Sequence, residues 1–420
     1  MKTIKKPQCP SAELTAETVK HQLANTRQIT FEVTDSCNLR CMYCGLGDMY
    51  DTHDQRENRF LDFKKAITLI DYVMQWIKSS FNTSLKEVLS IGFYGGEPLL
   101  NMSVVKKIVD YVKKNHTENR DIQFNMTTNA LLLYKYIDFL VEHGVHLLIS
   151  LDGNKENHSY RILPNGNNSF EKVVRNVNLI KQQYPDYFEK YVNFNAVLHN
   201  RNSVTEIYDF IYPMFNKKPN ISSLTTTGVR PELKQKFWDM FRNINDSFIQ
   251  TEEYIAKELF VRNPNTKDIL YFIHHHSNNV YRDFEDLLFE KQGNRYFPTG
   301  TCAPFSKKVF LTVNGKILPC ERINHEYALG TVSDDGVHLD FNRIASKYND
   351  HFGHLKKQCK ACYNSRSCIQ CIFFLNDLKH PHCNGFMNKD AFLEYKQKSI
   401  DYLRNNPDLY KKIMQEVTLD

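Results

Sequence analysis

The chain has 420 residues, 41% of them hydrophobic and 24% charged, with a formal net charge of +6, which is ordinary for a soluble globular protein of two or three packed units. The mild charge comes without a long basic run or a nucleic-acid motif, so polynucleotide binding is not expected. No stretch approaches about 18 uninterrupted apolar residues, and residues 1–7 (MKTIKKP) lead into no apolar segment, so neither a membrane span nor a secretion signal is expected and a cytoplasmic protein is.

The first predicted strand is Gln28–Thr34 (QITFEVT), rich in β-branched and aromatic residues. Residues 62–80 follow with helical periodicity. Strand-like runs recur at 88–94, 122–128, 146–151, 191–198 and 221–227. Helical patterns lie between them at 103–114, 131–142, 170–183 and 204–215. Six strands alternating with helices predict an α/β fold with a parallel sheet of βαβ units. Six units suit a curved, partial (β/α)6 barrel whose open side is covered by a peptide substrate or a C-terminal domain. Cys37, Gly95, Asn129, Asp152, Leu198 and Gly228 follow the strand ends, where ligands collect in such folds. Residues 231–298 read mostly as helix, including 281–292. They carry His274-His275-His276, for which a solvated polar face is favoured over a metal site. Residues 389–417 read as a packing helix or helix pair.

Eleven cysteines in a reducing compartment argue for metal ligation rather than disulfides. Three stand in Cys37-Asn38-Leu39-Arg40-Cys41-Met42-Tyr43-Cys44, seven lie between Cys302 and Cys383, and Cys9 reads as a spare thiol. Three thiolates at C-x3-C-x2-C spacing can hold one corner of a [4Fe–4S] cube while leaving one iron open to a ligand. A zinc knuckle is the alternative, but zinc sites usually pair two C-x2-C arms. After the second predicted strand stand Gly95-Gly96-Glu97-Pro98, where glycines let backbone approach a ligand and carbonyls can accept bonds from an ammonium group.

CxxxCxYC together with GGEP resembles the radical S-adenosylmethionine (SAM) superfamily. The resemblance implies that SAM chelates the open iron and that electron transfer splits its C5′–S bond. The resulting 5′-deoxyadenosyl radical abstracts a substrate hydrogen, with the protein positioning the chemistry and excluding water. It makes Cys37, Cys41 and Cys44 the cluster ligands. It also implies SAM-binding roles for Tyr43 (adenine), Gly95, Gly96 and Glu97 (amino group), Asn129, Ser150 (ribose), Asp152, Arg161 (carboxylate) and Leu198 (adenine, by backbone).

The array Cys302-x12-Gly315-x4-Cys320, then Cys359-x2-Cys362-x5-Cys368-x2-Cys371 and finally Cys383, resembles the SPASM domain of peptide-modifying radical SAM enzymes. Residues 309–319 (VFLTVNGKILP) carry an Asn-Gly turn between apolar runs, a β-hairpin signal that would bring Cys302 and Cys320 together. By resemblance, Cys359, Cys362, Cys368 and Cys383 hold one auxiliary [4Fe–4S] cluster, and Cys302, Cys320 and Cys371 hold a second with three thiolates. The array departs from the family in having only Ile369 and Gln370 before Cys371, and in lacking a cysteine shortly before Cys302.

The expected organisation is an N-terminal extension (1–27), a radical SAM partial barrel (28–230), a helical bridging region (231–298), a SPASM domain with a β-hairpin (299–386) and a C-terminal helix (387–420). The resemblance implies a maturase that crosslinks a ribosomally made precursor peptide through thioether or carbon–carbon bonds, using SAM and three [4Fe–4S] clusters. A flavodoxin or ferredoxin would supply electrons. Leader recognition would fall to a separate protein, to residues 231–298, or to a sheet edge that adds the peptide as a strand. The alternatives are a formylglycine-forming sulfatase maturase and a non-catalytic Fe–S electron carrier; a carrier has no use for a SAM-binding loop.

Overall fold

The structure is a computed structural model that describes residues 13–84, 88–116, 120–276, 299–365, 368–375 and 377–416. Two compact units divide the chain, one of residues 21–259 and 305–340, the other of residues 1–20, 260–304 and 341–420.

The first of these contains a ten-stranded sheet. Its strands are β1 (Gln28–Thr34), β2 (Val88–Gly95), β3 (Asp121–Thr128), β4 (His146–Ser150), β5 (Val192–Leu198), β6 (Asn220–Ser223), β7 (Val309–Leu311), β8 (Lys316–Leu318), β9 (Gly330–Ser333) and β10 (Gly336–Leu339). The order is β10-β9-β8-β7-β1-β2-β3-β4-β5-β6. β1 to β6 pair parallel, each with its successor, which is the six-unit array expected for a partial barrel. The Asn314-Gly315 hairpin forms as expected, with Gly315 at φ +84°. β7 pairs parallel with β1, so the hairpin, expected within the cysteine-rich segment, continues this sheet.

Strand side chains alternate with a clear chemical split. Ile29, Phe31, Ile91, Phe93, Phe124, Phe194 and Ala196 are fully buried on one face. The other face is polar: a methyl group at Gly92 would touch Asn125 Oδ1 and Gln28 Nε2, each at 2.9 Å, and Ser222 Oγ donates to Asn195 Oδ1 at 3.0 Å. Such alternation is what a helix-covered sheet with a lined interior requires. The helix Phe63–Ile77 starts where Asp62 accepts a bond from Lys65 N, and it buries Leu69, Ile70, Val73, Met74 and Ile77. Each such side chain contributes about 1.5–3 kcal/mol.

Helix boundaries follow the sequence reading except where short turns intervene. Residues 131–142 hold a 3-10 turn, Leu133–Lys135, and a short helix, Ile137–Glu142, rather than one helix. A helix at Pro185–Tyr191 enters β5 and starts on a proline, which suits a first helical position. β6 is shorter than the strand-like run at 221–227, and a helix at Ala16–Ala24 occupies part of the expected extension.

In the other unit, the helices Pro264–His276, Lys389–Asn405 and Pro407–Glu416 share an apolar cluster that includes Phe260, Ile269, Leu270, Phe272, Ile273 and Ile413. Phe341–Ala361 forms a long helix that leads into Cys362. His274–His276 end the Pro264–His276 helix. Cys9 and the expected helix at 281–292 lie outside the described residues. Among the described residues no helix is long and apolar enough to cross a membrane.

Candidate active site

The cysteine loop leaves β1 and is stitched to a distant segment. Arg40 N donates to Ile162 O at 2.7 Å and Met42 N to Tyr160 O at 3.1 Å. Cys44 N closes a turn onto Cys41 O at 3.2 Å. Burial pushes the Cys37 thiol up to about 11 and Cys41 to about 12, and the neighbouring thiols add to both shifts. Thiols held neutral at Cys37 and Cys41 suit ligation by a cation that displaces their protons. Two donors already aim at Cys37 Sγ: Leu39 N at 3.4 Å and Asn129 Nδ2 at 3.8 Å. Among the described residues no three His, Cys, Asp or Glu side chains converge on a single metal ion. A cube takes each thiolate on a separate iron.

Gly95 and Gly96 are needed for packing between loops. Gly95 has φ +123°, and a side chain at either glycine would run into the Thr34 or Ser36 carbonyl. Gly96 N donates to Thr34 O and Glu97 N to Ser36 O, each at 2.9 Å, so the GGEP loop is fastened to the root of the cysteine loop. Glu97 is 1% exposed. Its Oε1 accepts from Leu99 N at 3.0 Å and Thr128 Oγ1 at 2.6 Å, and its Oε2 from Asn129 N at 2.7 Å. Burial raises its pKa to about 7 against these donors. The carboxylate therefore ties the end of β2 to the end of β3 and holds Asn129 beside Cys37. Replacing Glu97 with glutamine should set an amide N–H against a backbone donor and lower stability by about 1–3 kcal/mol in chemical unfolding. An unchanged unfolding midpoint would remove this role.

Asp152 organises the other side of the site. It is fully buried, with Arg161 Nε on Oδ2 at 2.9 Å and Arg161 Nη2 on Oδ1 at 3.1 Å. Tyr43 Oη donates to Oδ2 and Val197 N to Oδ1 at 2.9 Å. Burial alone would protonate Asp152, but the Arg161 charge, then the His199 and His158 side chains, hold its carboxyl well below the usual range. Burial and the adjacent carboxylate push the Tyr43 hydroxyl well up. Arg161 and Tyr43, expected to face SAM, are thus both bonded to Asp152, and the Arg161 guanidinium stands 5.4 Å from the Tyr43 ring. Ser150 and Leu198 sit at the ends of β4 and β5, buried.

Residues without a motif complete this region. His158 accepts from Asp152 N at 3.3 Å, and burial lowers its pKa to about 3. Asn202 donates to Asp152 O at 3.2 Å and Val197 O at 2.9 Å, and His199 lies 5.5 Å from the Tyr43 ring. The one sequence signal for His199 and Asn202 is their position just after β5.

The C-terminal cysteines fall into groups. Cys359, Cys362, Cys368 and Cys383, expected to hold one cluster, all line one concavity. Ser365 Oγ, in the same wall, is buried with no hydrogen-bond partner among the described residues, as a donor meant for a bound inorganic sulfur would be. The donor set and the orphaned hydroxyl fit an iron–sulfur cluster. Cys371 lies near enough to Cys302 for that thiol to raise its pKa further, after burial. Cys320 follows β8 in the sheet-bearing unit, where burial and then Glu321 push it up to about 12, and Glu321 accepts from Lys308 Nζ at 2.8 Å.

Residues 31–211 match the radical SAM superfamily. The chain is 23% identical over 399 residues to the radical SAM cyclopropyl synthase TigE of Paramaledivibacter caminithermalis, covering 93% of this chain and 74% of that one. It is 26% identical over 347 residues to the cysteine-type anaerobic sulfatase-maturating enzyme of Clostridium novyi, covering 78% and 83%. A solved structure described as native anSMEcpe with bound AdoMet and Kp18Cys peptide shares the fold, with a TM-score of 0.57 at 19% identity over 91% of this chain and 98% of that one.

Proposed function

We propose that this chain, which carries a radical SAM domain at residues 31–211, modifies a ribosomally made precursor peptide, by crosslinking through a thioether or carbon–carbon bond. The observation that carries the reading is a three-thiol loop at the mouth of a parallel sheet in a chain that also holds a separate four-thiol concavity. The likeness to a structure described with bound AdoMet and Kp18Cys peptide supports a peptide substrate. When bound, SAM and the open-iron cluster supply a carbon radical able to abstract hydrogen.

In this reading Cys37, Cys41 and Cys44 hold the cluster, and Asn129 directs an N–H toward Cys37 Sγ. The Gly96 N and Glu97 N bonds to the Thr34 and Ser36 carbonyls set the Gly95-Gly96 backbone that would receive the SAM amino group, while Ser150 and Leu198 would frame its nucleoside. Asp152 orients Tyr43 and Arg161, leaving Arg161 Nη1 for the SAM carboxylate. Cys359, Cys362, Cys368 and Cys383 hold an auxiliary cluster; Cys302, Cys320 and Cys371 hold another, whose fourth position no cysteine of the C-terminal group fills. The domain limits expected from the sequence, the cytoplasmic location and a flavodoxin- or ferredoxin-type electron donor belong to the same proposal.

Anaerobically reconstituted protein should hold about twelve irons and about twelve sulfides per chain, as three cubes require. Given SAM, dithionite and its peptide, it should release 5′-deoxyadenosine and return a product lighter by two hydrogens per crosslink. Stoichiometric zinc with little iron would sink the reading. The likeness to sulfatase-maturating enzymes favours a second one, oxidation of a peptide Cys or Ser to formylglycine, which an aldehyde-specific probe of the product would reveal.

A further inference from the structure

Arg56 lies in the irregular stretch between the cysteine loop and the helix Phe63–Ile77, at a position that no motif marks. Its Nε donates to Asp35 O at 2.5 Å and its Nη1 to Leu46 O at 3.0 Å. Asp35 and Leu46 flank Cys37 and Cys44 by two residues on either side, so one guanidinium closes both ends of the loop. Its third nitrogen, Nη2, is buried and has no hydrogen-bond partner among the described residues. Nη2 also occupies the space that a side chain at residue 96 would need, so Gly96 admits the guanidinium as well as the Ser36 carbonyl.

Carboxylates nearby do not cap this charge. Both oxygens of Asp35 are turned to backbone donors, Glu57 N at 3.0 Å and Arg59 N at 2.7 Å. Glu32 accepts from Val313 N at 2.9 Å, and burial raises its pKa to about 7. Arg56 is close enough to act electrostatically on Cys37 and on Glu32. A guanidinium stays protonated at any working pH, so its charge here is permanent.

We infer that Arg56 is a positioning residue that clasps the cysteine loop and whose buried, uncapped charge makes the cluster on Cys37, Cys41 and Cys44 easier to reduce. This rests on the cluster assignment proposed above. Reduction adds one negative charge to the cluster, and a fixed cation beside Cys37 stabilises the reduced state more than the oxidised one. In a partly buried site that interaction is little screened.

The test is an EPR-monitored redox titration of the full, anaerobically reconstituted chain, following the signal that changes shape when SAM is added. That response separates this cluster from the auxiliary ones. Arg56→Gln and Arg56→Met remove the charge; Arg56→Lys keeps it while losing the forked clasp. Both neutral variants should titrate at a more negative potential, with the reduction equilibrium weakened about tenfold, which is 59 mV for one electron. Arg56→Lys should stay within about twofold of the parent, about 18 mV on the same scale. A neutral variant that titrates with the parent overturns the inference, and so does Arg56→Lys shifting as far as the neutral pair. Should neither neutral variant load the SAM-responsive cluster, loading by Arg56→Lys upholds the charge requirement and failure of all three overturns it. A parent protein with no SAM-responsive signal would instead remove the functional reading itself.

Discussion

Replacing Cys37, Cys41 and Cys44 together with alanine is expected to abolish 5′-deoxyadenosine formation from SAM and dithionite, a fall of at least about a thousandfold, or ~4 kcal/mol of barrier. The loss should be selective. The four thiols around the C-terminal concavity belong to a different compact unit, so auxiliary iron should remain after the triple replacement. Iron content should drop by about one cube's worth, four atoms, and the SAM-responsive EPR signal should vanish. Continued 5′-deoxyadenosine production by the triple variant would mean that the SAM site lies elsewhere. Loss of all iron would mean that the clusters do not form independently.

Asp152→Asn should produce the largest stability loss in the sheet-bearing unit. Asparagine leaves the Arg161 guanidinium buried without its counter-charge, and breaking one side of a buried ion pair costs about 3–5 kcal/mol. The double variant Asp152→Asn/Arg161→Met should regain part of that loss, because no unpaired charge remains. The pH dependence follows from the sign of the shift. Asp152 is held below its unfolded value, so its contribution is complete above about pH 4 and is lost only as pH falls toward the lower folded value. Its neighbour His158, with a pKa of about 3, stays neutral over the same range. The difference in urea stability between parent and Asp152→Asn should therefore be constant from pH 5 to about 8. A difference that changes with pH across that window would assign the effect to a group titrating near neutrality rather than to the carboxylate.

The parallel array was legible because its signal is local and repeated. β1, the helix Phe170–Gln183 and the helix Val204–Phe215 fall on the residues that periodicity marks, and the Asn314-Gly315 turn announces its hairpin. That Cys359, Cys362, Cys368 and Cys383 line one concavity was legible in their spacing. Less visible was the pairing of β7 with β1, which makes the hairpin part of the main sheet, because a sheet edge is completed by whichever strand arrives and not by a pattern in either one. The β9–β10 pair, four residues each and flanked by turns, is too short to give a period.

Roles within the site divide along the same line. The sequence by itself grouped Glu97, Tyr43, Asp152 and Arg161 through a family resemblance and grouped the cysteines by their spacing. Tertiary structure decided what those side chains do. Glu97 turns both oxygens to the backbone at residues 99 and 129, and Asp152 gathers Tyr43 from 109 positions away. Arg56 acquires its place only when Asp35, Leu46 and Gly96 converge around it. The physical reason is common to all three. A buried polar or charged group must find partners to offset the loss of water, and those partners are set by which loops meet at the strand ends, a relation between distant segments that no local spacing encodes.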